Sequence, residues 1–292
     1  MRPKFSGALA LGCFGMVAFA TLAVSAAATV APSNVRTHAR TGAPRTTAPL
    51  RVCADPANLP FTDINGRGFE NRIADMLARD LGTAVQYTWR PQRTDFIDTT
   101  LLANRCDIVM GYPSNVQMLA TTKPYYRSIF VFVTRRSSGL HVRSYDDPAL
   151  TKLRIGVQFS GEDDASSPPA KSLGRRGIAG NLVGFLAFGD EHATNRPAEI
   201  ITAVARGDID IAAAWGPMAG YFAAREREPL DVTLVSPQSD GPLPQAFDIS
   251  MAVRRGEPVR LARLNRFIDT HRGDIDALLA EYHVPRVDRV TP

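Results

Sequence analysis

The stretch Leu50–Phe61, LRVCADPANLPF, decides the fold. Leu50 to Ala54 reads as a short buried β-strand. Asp55-Pro56, Asn58 and Pro60 then turn the backbone out of the sheet. In open α/β sheets, ligands sit in the crevice beyond the carboxyl ends of the strands. The loop after this strand is therefore expected to look into a cleft, and Asp55, Asn58 and Phe61 are its first candidate contact residues.

The sequence on either side fits an α/β unit. Phe69, Ile73, Met76, Leu77 and Leu81 recur at helical spacing over 69–82, and Gly82 suits a left-handed C-terminal cap. Ala84–Trp89 alternates as a strand. Residues 94–105 read as a second helix with Thr94 as N-cap, and Asp107–Gly111 as a buried strand. Strand–helix–strand–helix–strand with short links predicts a parallel unit. The pattern continues with strands at Ile129–Val133, Leu153–Val157, Leu182–Phe188, Ile209–Ala214 and Val232–Val235. Helices are expected to begin near Ser166–Pro169 and to span Ala198–Arg206 and Met218–Arg225. A Pro- and Gly-rich link, Ser236–Pro244, leads to a last strand, Ala246–Val253, and two helices over 258–270 and 274–282. The expected class is α/β with two lobes, each a mainly parallel sheet flanked by helices. Lobe 1 is read as 50–134 plus 244–288, and lobe 2 as 135–243.

The first fifty residues read differently. Arg2 and Lys4 precede the apolar run Ala8–Val24 and the small residues Ser25–Ala28, which is the pattern of an export signal over 1–28. Residues 29–49 carry Thr, Ala, Pro and Arg without periodicity and read as a disordered linker. The formal charge of +5 comes from this leader, which holds five bases and no acid. The body carries 29 basic and 29 acidic side chains, so no nucleic-acid footprint is present. An exported chain that keeps Cys53 and Cys106 suggests one disulfide; two free buried thiols are the alternative. No metal site is read, since CxxC and paired His spacings are absent. Gly66-Arg67-Gly68 follows no strand and lacks a third Gly, so it is no dinucleotide fingerprint. GxSxG, HExxH and P-loop motifs are missing, and neither catalytic residues nor a cofactor are assigned.

The order of landmarks resembles the type II periplasmic solute-binding proteins of bacterial ABC importers. They are LRVCAD, the Gly68–Gly82 helix, CDIVMG, TTKPYYRSIFVFV at 121–133, GDIDIAAAWGP at 207–217, FDISMAVRRGEP and the two C-terminal helices. A narrower set is similar to one branch: RVCADPANLPF, GFENRIADMLARDLG, YTWRPQR, NRCDIVMGYP, TTKPYYRS, WGPMAGYFA and YHVPR. That branch is the solute-binding-like J proteins of MxaJ/XoxJ type, found with periplasmic methanol dehydrogenases that use pyrroloquinoline quinone (PQQ).

The resemblance implies where an amino-acid binder would hold its ligand. The carboxylate would meet an Arg after the third strand, whose fork suits it. Here that region, Ser114–Met118, includes Asn115 but no base, and Arg127 is the nearest fallback. The ammonium would meet an Asp at the end of the strand matching Ile209–Ala214, and here Trp215 stands there. Both charged anchors are missing, and a buried ammonium without a carboxylate costs several kcal/mol. The remaining cleft candidates are Tyr112, Tyr125, Tyr126, Phe159 and Trp215, which suit an apolar or planar ligand or a protein surface. The alternative makes Tyr125 and Tyr126 hinge packing and Trp215 core. Glu162-Asp163-Asp164 is read as helix-start acids rather than a cation site.

Three functions follow as expectations. The first is a non-enzymatic periplasmic accessory protein whose partner is a PQQ-dependent methanol dehydrogenase. The second is the substrate-binding protein of an ABC importer for a small uncharged or aromatic solute. The third is an enzyme on the same scaffold, which would need a buried carboxylate facing a Lys or His.

Overall fold

The computed structural model describes residues 48–159, 167–187 and 196–288. The expected export signal, nearly all of the linker before Ala48, and Glu162–Asp164 lie outside them. In chain order the first elements are β1 (Leu50–Ala54), β2 (Ala57–Asn58), β3 (Thr62–Asp63), α1 (Phe69–Asp80), β4 (Val85–Trp89) and α2 (Phe96–Thr99). β5 (Ile108–Pro113), β6 (Ala120–Thr121), β7 (Tyr126–Arg135), β8 (Ile155–Phe159), α3 (Pro168–Gly174) and β9 (Leu182–Leu186) follow. The rest are α4 (Glu199–Arg206), β10 (Ile211–Trp215), α5 (Gly216–Ala223), β11 (Leu230–Leu234), β12 (Ser239–Asp240), β13 (Leu243–Pro244), β14 (Ala246–Val253), α6 (Pro258–Thr270) and α7 (Arg272–Glu281).

The strands form one path, β4-β1-β5-β14-β7-β10-β8-β9, with β6 on β14 and β11 on β7. β4, β1 and β5 run parallel, as do β10, β8 and β9. Between these groups stand β14 and β7, paired antiparallel. β7 changes partners along its length. Tyr126–Ile129 pairs with β14, whereas Phe130–Thr134 pairs with β10. This gives two parallel groups, each with helices on its faces, joined by two long strands.

Each group has its own apolar core. Val52 and Ile108 pack with Phe69, Ile73 and Leu77 of α1 and with Leu264, Phe267, Ile275 and Leu279 of α6 and α7. α4 and α5 cover one face of β7 and β10, and α3 packs among the residues on the opposite face. A smaller cluster joins Cys53, Cys106, Phe96 and Leu101. β1 and β5 are neighbours, with Cys53 in register with Val109. The Cys53–Cys106 disulfide is formed there, with 5.5 Å between α-carbons.

Most elements fall near the expected places, and two differ in an instructive way. The helix expected over 94–105 is one turn, Phe96–Thr99, whose N-cap is Asp95 rather than Thr94. The hydroxyls of Thr99 and Thr100 donate to the carbonyls of Asp95 and Phe96. Such back-bonding competes with the helical ladder, and Asn104 then turns left-handed with φ 57°. β8 begins two residues later than expected, because Asp210 binds the Arg154 backbone and guanidinium ahead of it.

Candidate functional site

The loop after β1 builds the front of the site and caps α1. The N–H groups of Phe69 and Glu70, which have no partner within their own helix, donate to the carbonyls of Pro60 and Phe61 at 2.8 and 2.9 Å. Gly68 is required at this junction, since a β-carbon there would overlap the Phe61 carbonyl. The Asn71 amide oxygen accepts from the N–H groups of Asp63 and Gly68. The first loop thus fixes how α1 enters the fold, and with it the position of Glu70.

A cleft of about 390 Å³ opens between the two parallel groups, within the size range of small-molecule sites. Its walls come from the first loop, the ends of β5, β7, β8, β10 and β14, and the start of α3. Seven of the ten expected contact residues line it: Asp55, Asn58, Phe61, Tyr112, Tyr126, Phe159 and Trp215. The other three do not. Asn115 is exposed in a left-handed turn, its N–H donating to Thr121. Tyr125 is 1% exposed, inside the core around α1, and among the described residues its hydroxyl has no partner. Arg127 is turned toward Asp248 at 3.3 Å and Gln238 at 3.4 Å.

Each lining residue has a physical task. Asp55 is buried, and its two oxygens accept the N–H groups of Ala57 and Gln92 at 2.8 and 2.7 Å. Burial raises its pKa while those two hydrogen bonds oppose the rise. Asp55 therefore clasps two loops together. Asn58 extends the clasp by donating to the Gln92 side chain. Trp215 ends β10, and its backbone N–H donates to the Gln158 side chain at 3.2 Å. Its indole meets Phe130 and Phe247 edge-on, with centroids 5.2 and 5.8 Å away. Tyr126 stands edge-on to Phe69 and Tyr125.

Glu70 is one of several lining residues that the sequence reading misses, and the one that carries charge. It is 7% exposed, and among the described residues its carboxylate has no hydrogen-bond or ion-pair partner. Burial pushes its pKa up to about 8. Its place was encoded: Glu70, Ala74 and Leu77 are spaced i, i+4, i+7, so Glu70 lies on the buried stripe of α1. Gly111 leaves the room that the carboxylate occupies. Among the described residues no Lys, Arg or His lines the cleft, and no group of His, Cys, Asp and Glu is arranged to hold a metal. No described helix is long and apolar enough to cross a membrane.

Two groups of strands around a cleft, joined by a pair of long antiparallel strands, define a solute-binding architecture. The model for bacterial extracellular solute-binding proteins, family 3, matches residues 50–284, and the chain belongs to that family, in which it is homologous to the MoxJ, MxaJ and XoxJ proteins. Protein MoxJ of Methylorubrum extorquens is 31% identical over 246 residues, 81% of each chain. The crystal structure of MxaJ from Methlophaga aminisulfidivorans superposes with TM-score 0.70 at 25% identity, covering 82% of this chain and all of that one. That of the periplasmic binding protein XoxJ from Methylobacterium extorquens gives 0.67 at 34% identity, with the same coverage.

Proposed function

We propose that the chain is a periplasmic accessory protein of methanol oxidation, which docks on a PQQ-dependent methanol dehydrogenase and supports or activates it without catalysing a reaction itself. The observation that carries this reading is the cleft wall: Trp215 ends β10 in the cleft, at the place where the family resemblance implies an ammonium-binding Asp, and the sequence Ser114–Met118 offers no base. Among the described residues the cleft therefore lacks the paired charges that hold a free amino acid. Kinship with MoxJ and XoxJ supports the same reading, as does a partly exposed aromatic in the cleft wall. Phe159 lines the cleft and is partly exposed, and Ile64, two residues beyond the lining Thr62, is 61% exposed. The division into lobes 50–134 plus 244–288 and 135–243 belongs to this proposal, supported by the change of partners along β7.

A co-purification and activity assay with the dehydrogenase tests the reading across a range of salt. Complex formation or stimulation is expected. No complex and no stimulation would refute it.

A second reading, a receptor for an ABC importer, is favoured by the size of the cleft alone. A thermal-shift screen separates the two, since a ligand well above its dissociation constant raises the unfolding midpoint.

A further inference from the structure

Burying an ionised carboxylate without a partner is costly, and such groups are normally paired. Glu70 is buried and unpaired among the described residues, yet it borders open space rather than packed core. A second polar group in the same wall is unmatched among the described residues: the Ser167 hydroxyl is buried and lines the cleft. The rest of the wall is rich in aromatic rings, with Phe130, Trp215 and Phe247 arranged mutually edge-on. Aromatic faces attract cations, more strongly when water is excluded. No described lining residue could neutralise an anion.

We propose that the cleft is a binding site for a small organic cation, an alkylammonium or quaternary ammonium group on an apolar or aromatic body without a carboxylate, with Glu70 as its counter-ion. The missing Arg excludes a zwitterion, whose carboxylate would be left unpaired. The aromatic wall holds the body, and the carboxylate sets the sign of the charge. This inference stands apart from the docking reading and survives or fails without the dehydrogenase.

Burial holds the proton on Glu70 up to about pH 8, so a cation must displace it. The other titratable groups around Glu70 do not mask this. Tyr87, Tyr112, Tyr125 and Tyr126 all have pKa values raised above the ordinary phenol by burial, and they stay neutral. Asp55 is fixed by its two backbone donors.

Calorimetric titration of the folded protein tests the proposal with four probes: benzyltrimethylammonium, 2-phenylethylammonium, 2-phenylethanol and phenylacetate. The amine is expected to bind at least about tenfold more tightly than the alcohol, and phenylacetate least. Benzyltrimethylammonium, whose charge does not titrate, is expected to gain about tenfold in affinity with each unit that pH rises toward 8 and to level off above it. Glu70→Gln is expected to lose at least about tenfold for both cations while 2-phenylethanol is unchanged. Gly111→Ala, which displaces the carboxylate but keeps its charge, should weaken cation binding as well. Arg263→Gln, on the exposed face of α6, should bind like the unaltered chain. Equal affinity for amine and alcohol, no binding of either cation at millimolar concentration, or full cation binding by a folded Glu70→Gln protein would each overturn the proposal. Should Glu70→Gln fail to fold, the amine–alcohol ratio and the pH profile of the unaltered chain decide alone.

Discussion

A β-carbon on Gly111 would overlap Oε1 of Glu70. The two residues come from different elements, the end of β5 and the first turn of α1, and one makes room for the other. Gly111→Ala is therefore expected to push the carboxylate aside into the cleft, at a cost of no more than about 1 kcal/mol, because the new methyl meets only the end of a flexible side chain beside open space. Urea unfolding of the variant and the unaltered chain under the same conditions measures it. A loss above about 2 kcal/mol would mean that the carboxylate has nowhere to go.

Glu70 also gives the fold a pH dependence of defined sign. Its pKa is about 8 in the folded chain against an ordinary 4.5. Between these values the folded chain holds a proton that the unfolded chain has released, so stability falls as pH rises, by up to about 1.4 kcal/mol per unit. Glu70→Gln removes this effect. Its unfolding midpoint is expected to exceed that of the unaltered chain above pH 8, and the two should converge below pH 4.5. Parallel midpoints across that range would contradict the burial of an unpaired acid.

The opposite sign belongs to Asp240. Arg176 forks onto it with two hydrogen bonds of 2.8 and 2.9 Å and holds its pKa at about 2. The pair ties the turn between β12 and β13 to the end of α3. Its contribution is present above the ordinary carboxylate pKa and is lost as pH falls from about 4 to about 2. Asp240→Asn is expected to cost about 1–3 kcal/mol at pH 7, with the difference vanishing in acid. Denaturant titrations at pH 7 and below about pH 2 check both statements.

The disulfide closes 53 residues of separation between two buried cysteines. In the loop-entropy model that constraint stabilises by about 4 kcal/mol. The Cys53→Ala, Cys106→Ala double variant should lose about that much in urea unfolding. Loss of less than about 1 kcal/mol would show that the unfolded chain is already restricted there.

What was legible in the sequence follows from how local each cause is. The first α-helix announces itself through apolar spacing and Gly82, which adopts φ +63° just beyond it. β14 could be read because Ala246–Val253 is a mostly buried run, broken only at Phe247 and Asp248, and is bounded by a Pro-rich link. Trp215 could be placed in the cleft because it ends a strand. α2 could not be read, since apolar spacing says nothing about hydroxyls that bind the carbonyls behind them. Arg127 and Asn115 were placed by sequence proximity to the cleft, but long-range partners set their directions: Asp248 for the first and the turn closed by Thr121 for the second. Glu70 was hidden by its charge. A carboxylate reads as solvent-facing unless its helical phase is followed through Ala74 and Leu77.

The most direct test of the proposed function is analytical ultracentrifugation of the chain mixed with purified PQQ-dependent methanol dehydrogenase, together with alcohol oxidation by each alone and by the mixture. The account predicts a faster-sedimenting complex or a rise in dehydrogenase turnover, and no oxidation by this chain alone. Independent sedimentation with unchanged turnover at low and moderate salt would contradict it.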